Sequence, residues 1–139
     1  MRIVVETPKY SFSKYRKEGS QFIKEFISPI PTLFNYGFID DSVSEDGMEI
    51  DVIIIGPVMR QGDTMERSCF DGIVRFVDDS LRDDKHIIYL EGFFSKTFFS
   101  FYFRLYALFK SVVYLFFRKG LCMCRFEGIE LYETGMRGQ

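Results

Sequence analysis

The chain has no tryptophan, only three cysteines, and no excess of either charge: eighteen Lys and Arg stand against twenty Asp and Glu in 139 residues. Near-neutrality removes any global electrostatic case for a nucleic-acid partner. The cysteines exclude a zinc ribbon or finger. Cys122 and Cys124 form C-x-C rather than C-x₂₋₄-C, and Cys69 stands alone. On a strand, Cys122 and Cys124 face the same side and read as small core residues. An odd cysteine count and no leader-like stretch place the chain in the reducing cytoplasm. Acidic residues are absent from Gly92 to Arg125, where Lys96, Arg104, Lys110, Arg118, Lys119 and Arg125 all lie. That segregation is a clue to assembly or partners. With 47% of residues apolar, disorder is excluded, and the length predicts one domain spanning residues 1–139.

The informative stretch runs from Asn35 to Ile55. It opens on Tyr36-Gly37 and passes through Asp40, Asp41, Glu45, Asp46 and Glu49. It ends at Asp51, which begins the β-branched run Val52 to Ile55. Such a run reads as a buried strand. Asp46 and Asp51 then crowd its mouth, and crowded carboxylates call for a counter-charge such as Mg²⁺ or Ca²⁺. A second acidic strand end repeats the pattern. Gly72 to Val77 is followed by Asp78, Asp83 and Lys85, with the same D-x₄-D spacing, and then by the apolar run His86 to Leu90. Four carboxylates beside a lysine suit a phosphoryl substrate, where positioning and charge neutralisation do most of the work.

The rest of the chain reads as short strands and turns. Arg2 to Val5 is an opening strand. Lys14 to Ile27 is a hairpin turning at Glu18-Gly19-Ser20 and stopped by Pro29 and Pro31. Gly56-Pro57 breaks the strand before it, Gln61-Gly62-Asp63 is a turn, and Leu121 to Phe126 is the last strand. Phe98 to Phe117 is a long apolar, aromatic helix. Arg104 and Lys110 within it argue against a membrane span. It is expected to pack on the core with one side and on a second subunit with another. Arg104, Lys110 and Arg118 would sit at the rim of that contact. An interfacial membrane helix over Phe98–Phe117 is the rival.

Glu6-Thr7-Pro8, Lys14-Tyr15, Asn35-Tyr36-Gly37-Phe38-Ile39, Asp46-Gly47-Met48-Glu49-Ile50-Asp51-Val52, Asp78 to Lys85, Tyr114 and Phe126-Glu127-Gly128 follow one another in order. This ordered series resembles the family I soluble inorganic pyrophosphatases over nearly the whole chain. The resemblance implies an α+β fold, a small five-stranded OB-like β-barrel with a packed helix. It implies Mg²⁺ as cofactor, pyrophosphate as substrate and a homo-oligomer in the cytoplasm. Asp46, Asp51 and Asp83 match the ligands of the activating metals, and Asp78 matches a ligand of the metal that arrives with substrate. Glu6 matches an acidic residue on the outer metal side. Lys14, Tyr36, Lys85 and Tyr114 match groups that hold the phosphates, with Asp46, Asp51 and Tyr36 at the catalytic centre. The family also has a further helix beyond the last strand; the polar, Gly-rich stretch up to Gln139 offers no counterpart.

The series departs from the family at chemically important places. Met48 stands where the resemblance expects the aspartate proposed as base, and methionine neither binds a hard cation nor accepts that proton. Glu49 is adjacent, but neighbours on an extended segment point to opposite sides. Arg16 replaces a glutamate and Leu115 a lysine, with Phe109-Lys110 as the other placement of that Tyr-Lys pair. Lys24 or Glu25 stands near the place of a phosphate-binding arginine. Two functions are carried forward: Mg-dependent hydrolysis of pyrophosphate by a weakened site, or a degenerate pyrophosphatase fold acting as a metal/phosphate-binding or assembly module.

Overall fold

The computed structural model describes residues 1–28, 30–40, 42, 49–78, 81–117 and 124–132. Ten strands and one helix occur among them, in the order β1 (Arg2–Thr7), β2 (Ser13–Glu18), β3 (Gln21–Ile27), β4 (Asn35–Ile39), β5 (Asp51–Ile55), β6 (Thr64–Glu66), β7 (Gly72–Asp78), β8 (Leu81–Arg82), β9 (Lys85–Tyr89), α1 (Lys96–Phe117) and β10 (Cys124–Leu131). The main sheet runs β10-β7-β9-β5-β4-β1-β6, with β8 on β7, and β2-β3 forms a separate hairpin. The sheet is mixed: β5 and β9 are parallel, and their neighbours are antiparallel. The α+β class and the packed helix are as the sequence predicts. The pairing, however, follows an open path, and among the described residues no ladder joins β10 to β6 to close a five-stranded barrel.

The centre of the sheet explains its sequence. Val52 to Ile55 are all buried because β5 is covered on both faces, which a continuous β-branched run permits and an alternating one does not. Val52 and Ile54 face Ile3, Val5, Ile39 and Ile88. Ile53 and Ile55 face the other way, into a cluster with Phe34, Val74, Ile87 and the helix residues Phe99, Tyr102 and Phe103. Each such buried side chain contributes roughly 1.5–3 kcal/mol. Gly37 is dictated by the approach of β1: a Cβ there would lie 2.2 Å from the Val4 carbonyl oxygen. Asn35, wholly buried, accepts the Lys9 and Met59 backbone N–H groups and donates to the Pro57 carbonyl. Its place beside Tyr36-Gly37 is therefore structural.

The helix begins two residues before the expected Phe98. No helix among the described residues is long and apolar enough to cross a membrane. Lys110 is a correction to the expected rim of a subunit contact. Its ammonium turns inward and lies 2.6 Å from Asp78.

Candidate active site

Strand register collects the polar residues. Asp51 pairs with Lys85 across the parallel β5-β9 ladder and with Phe38 across β4. Tyr36 shares a face with Phe38, and Asp83 lies two residues before Lys85, so all five point toward the helix side of the sheet. There they open into a cavity of about 200 Å³ between the sheet, the β2-β3 hairpin and α1. Glu6, Lys14, Arg16, Tyr36, Glu49, Asp51, Asp78, Asp83, Lys85, Tyr106 and Lys110 all line it, backed by Phe34, Tyr102 and Phe103.

Charge is tightly paired inside. The Lys85 ammonium donates to Asp83 at 2.9 Å and to Asp51 at 3.2 Å. It also lies over the rings of Phe76 and Tyr36. Burial alone would lower Lys85, but Asp83 and Asp51 reverse this and hold it above the ordinary lysine range. Burial pushes Asp83 up to about 6 against the pull of Lys85, and the Asp51 charge adds to the rise. Burial, then the charges of Asp51 and Asp83, raise the Tyr36 phenol well above its usual value, so it remains a donor and hydrogen-bonds Asp51. Burial lowers Lys14 to about 8; its ammonium bonds the Thr32 hydroxyl and lies 5.8 Å from the centre of the Tyr106 ring. Asp78 takes Lys110 at 2.6 Å and the Cys124 thiol at 3.5 Å.

The neighbouring acid Asp84 shows what a structural carboxylate looks like here. It accepts the Phe76 N–H at 3.0 Å and pairs with Arg82 and Arg75. Despite partial burial, those donors hold it below the usual range. Glu6 is intermediate in character. It sits at the irregularity between Val5 and Thr7 in β1, and its carboxylate accepts the Lys17 N–H at 2.7 Å.

Seven of the residues singled out from sequence thus converge: Glu6, Lys14, Tyr36, Asp51, Asp78, Asp83 and Lys85. Asp46 and Met48 fall outside the described residues, as does the side chain of Tyr114. Tyr106, about two turns earlier on α1, lines the cavity together with Lys110. Tyr102, Phe103, Tyr106 and Lys110 share the helix face that the structure turns to the sheet. Glu49 corrects the expectation that it points away. Residues 49 and 50 precede β5 in irregular backbone, so strict alternation does not apply, and Glu49 lines the cavity. Arg16 also lines the cavity, paired with Glu18 at 3.3 Å. Lys24 is exposed, and the side chain of Glu25 is not among those described.

A mixed sheet with a helix over one face brings carboxylates, lysines and a tyrosine together in one cavity of an α+β scaffold. A family profile described as inorganic pyrophosphatase matches residues 3–105, and the chain belongs to that family. The inorganic pyrophosphatase of Corynebacterium efficiens is 28% identical over 95 residues, which cover 66% of this chain and 60% of that protein. That of Corynebacterium glutamicum is 27% identical over the same length and shares. The chain therefore spans about 60% of the length of these curated relatives. Among solved structures, the Thermus thermophilus enzyme superposes with a TM-score of 0.78 at 17% identity, covering 96% of this chain and 83% of that one. The Neisseria gonorrhoeae enzyme gives 0.76 at 22%, covering 94% and 82%. These structural likenesses bear on the fold.

Proposed function

We propose that the cavity hydrolyses inorganic pyrophosphate to two phosphates in a divalent-metal-dependent reaction, with Mg²⁺ as the natural cation. The observation that carries this reading is the convergence of Asp51, Asp78 and Asp83 with Lys14, Lys85 and Lys110 in one cavity of a pyrophosphatase-family chain.

The donors suit a hard cation in kind. Asp51 and Asp83 are carboxylates facing one space, and the raised Asp83 proton affinity reports crowded, poorly hydrated negative charge. Among the described residues no group of three such donors is already gathered in ligating geometry; Asp46 is the third ligand in this reading, with Asp78 for the metal that arrives with substrate and Glu6 on the outer metal side. A bound divalent cation would supply charge neutralisation, a clamp on both phosphates and an acidified water.

The chain's own groups do the rest. Lys14, Lys85 and Lys110 neutralise phosphate oxygens, and Arg16 offers a further cation at the cavity edge. Tyr36, kept protonated, donates to a phosphate oxygen. Tyr106 takes the part expected of Tyr114. The aromatic backing of Phe34, Tyr102 and Phe103 keeps the inner end dry. When water attacks phosphorus and the bridging P–O bond breaks, Glu49 accepts the water proton in place of the base that Met48 cannot be. The site is weakened relative to one carrying an aspartate at position 48. A phosphate-release assay with pyrophosphate and Mg²⁺ tests this reading: release that stops on chelation supports it, and no release at any Mg²⁺ concentration removes it in favour of a binding or assembly module.

A further inference from the structure

Asp78 is gripped from behind by residues that the proposed hydrolysis does not use. It is the last residue of β7 and stands directly opposite Cys124, the first residue of β10, in the antiparallel β10-β7 ladder. Side chains opposite one another on paired strands lie on one face and touch. The Cys124 thiol reaches one Asp78 oxygen at 3.5 Å, and the Lys110 ammonium takes the other at 2.6 Å. Cys124 is held in turn. Its N–H donates to the Ser111 hydroxyl at 2.9 Å, and that hydroxyl donates to the Ala107 carbonyl one helical turn back, also at 2.9 Å. Lys110 and Ser111 are neighbours on α1. The helix therefore holds the end of β7 twice, directly through Lys110 and by way of β10 through Ser111.

We infer that Cys124 is a positioning residue for Asp78: its thiol, set by Ser111, orients the carboxylate that receives the divalent cation arriving with pyrophosphate. The inference rests on the hydrolytic reading for assigning that cation to Asp78. Cys124 is 7% exposed, packed with Phe76 and Ala107 behind the cavity wall, so it acts through Asp78 and touches neither substrate nor metal. The last torsion of a carboxylate is soft, and the Asp78 side chain keeps 19% exposure. A donor on each oxygen fixes the plane that a donor on one oxygen leaves free to swing. A thiol suits this task because it is a weak donor, and each carboxylate oxygen has a second lone pair left for a cation. Removing an outer hydrogen-bond partner of a metal-binding group typically lowers metal affinity about 10- to 100-fold. A weak donor belongs at the lower end of that range.

Calorimetric titration of Mn²⁺ into the full chain, with and without imidodiphosphate, reads this role without turnover. Imidodiphosphate is a pyrophosphate analogue with nitrogen in the bridge. Wild type, Cys124→Ala, Cys124→Ser and Ser111→Ala are compared, each checked for fold by far-UV circular dichroism. Alanine and serine differ only by the hydroxyl, which restores a donor toward Asp78. The Kd of the Mn²⁺ taken up only with the analogue should rise about 10-fold in Cys124→Ala, and Cys124→Ser should recover most of that loss. Ser111→Ala, which keeps the thiol but frees its backbone, should shift the same Kd in the same direction, and it decides the matter where Cys124→Ala does not fold. Mn²⁺ bound without the analogue, at Asp51 and Asp83, should keep its affinity throughout. Wild-type affinity in Cys124→Ala overturns the inference, as does a Cys124→Ser as weak as Cys124→Ala. Equal weakening of both classes of Mn²⁺ also overturns it, since that marks a merely structural thiol, and so does a wild type with no analogue-dependent Mn²⁺. A wild type that takes up this Mn²⁺ yet releases no phosphate from pyrophosphate removes the hydrolytic reading alone, so the two fail separately.

Discussion

Replacing Lys85 with methionine tests the electrostatics of the cavity. Lys85 is 4% exposed, with its ammonium 2.9 Å from Asp83 and 3.2 Å from Asp51. Methionine keeps most of the stem volume and its contacts with Phe76 and Tyr36, and removes only the charge. Two carboxylates are then left facing each other with little water. Breaking a buried ion pair from one side costs about 3–5 kcal/mol. The Asp51 and Asp83 side chains retain 20% and 11% exposure, which puts the expected loss near the lower bound, about 3 kcal/mol. For a domain of this size that corresponds to a Tm lower by about 10 °C. Urea unfolding at pH 8 in chelator reads the loss. Repeating it with Mg²⁺ reads the rescue, because a ligand at a hundred times its Kd returns about 2.7 kcal/mol, and a cation no longer competing with an ammonium binds the variant more tightly. A loss under about 1 kcal/mol, or equal stabilisation of both proteins by Mg²⁺, refutes the reasoning.

Lys14, held near 8 by burial, is charged below that pH and neutral above it in the free protein, so KM for pyrophosphate should rise as pH passes upward through 8. Lys14→Gln should raise KM at pH 7 by about 10-fold, the value of one charge-assisted hydrogen bond, and flatten that rise. Gly37→Ala should cost about 3 kcal/mol, because its methyl meets the Val4 carbonyl oxygen; chemical denaturation measures it. A Mn²⁺ soak should give an anomalous peak within about 2.5 Å of the Asp51 and Asp83 oxygens; a peak elsewhere shows the ligand set to be wrong.

The strands were legible because their residues leave little choice. Val52 to Ile55 cannot be placed except as a strand buried on both faces, and the hairpin turn at Gly19 has the positive φ its glycine predicts. Asp51, Asp78 and Asp83 were legible as acids at the ends of buried strands, and all three line the cavity. Which neighbours share the cavity was not legible. Pairing of Asp51 with Lys85 needs the β5-β9 register, and crossover pairings leave no local trace in sequence. Glu49 was misread because alternation was assumed where the backbone is irregular. Tyr106 was passed over, and Lys110 was placed at a subunit rim or in the alternative pair Phe109-Lys110, because α1 is apolar on two sides and hydrophobic periodicity alone does not say which side meets the sheet.

The account stands or falls on whether this cavity turns over pyrophosphate with its own carboxylates. Phosphate release should be measured for wild type, Asp51→Asn and Glu49→Gln at saturating Mg²⁺. The account predicts measurable release by wild type, none by Asp51→Asn, and a rate lower by roughly 10² to 10⁴ for Glu49→Gln. Wild-type release that Asp51→Asn leaves unchanged, or a wild type that releases no phosphate, would contradict it.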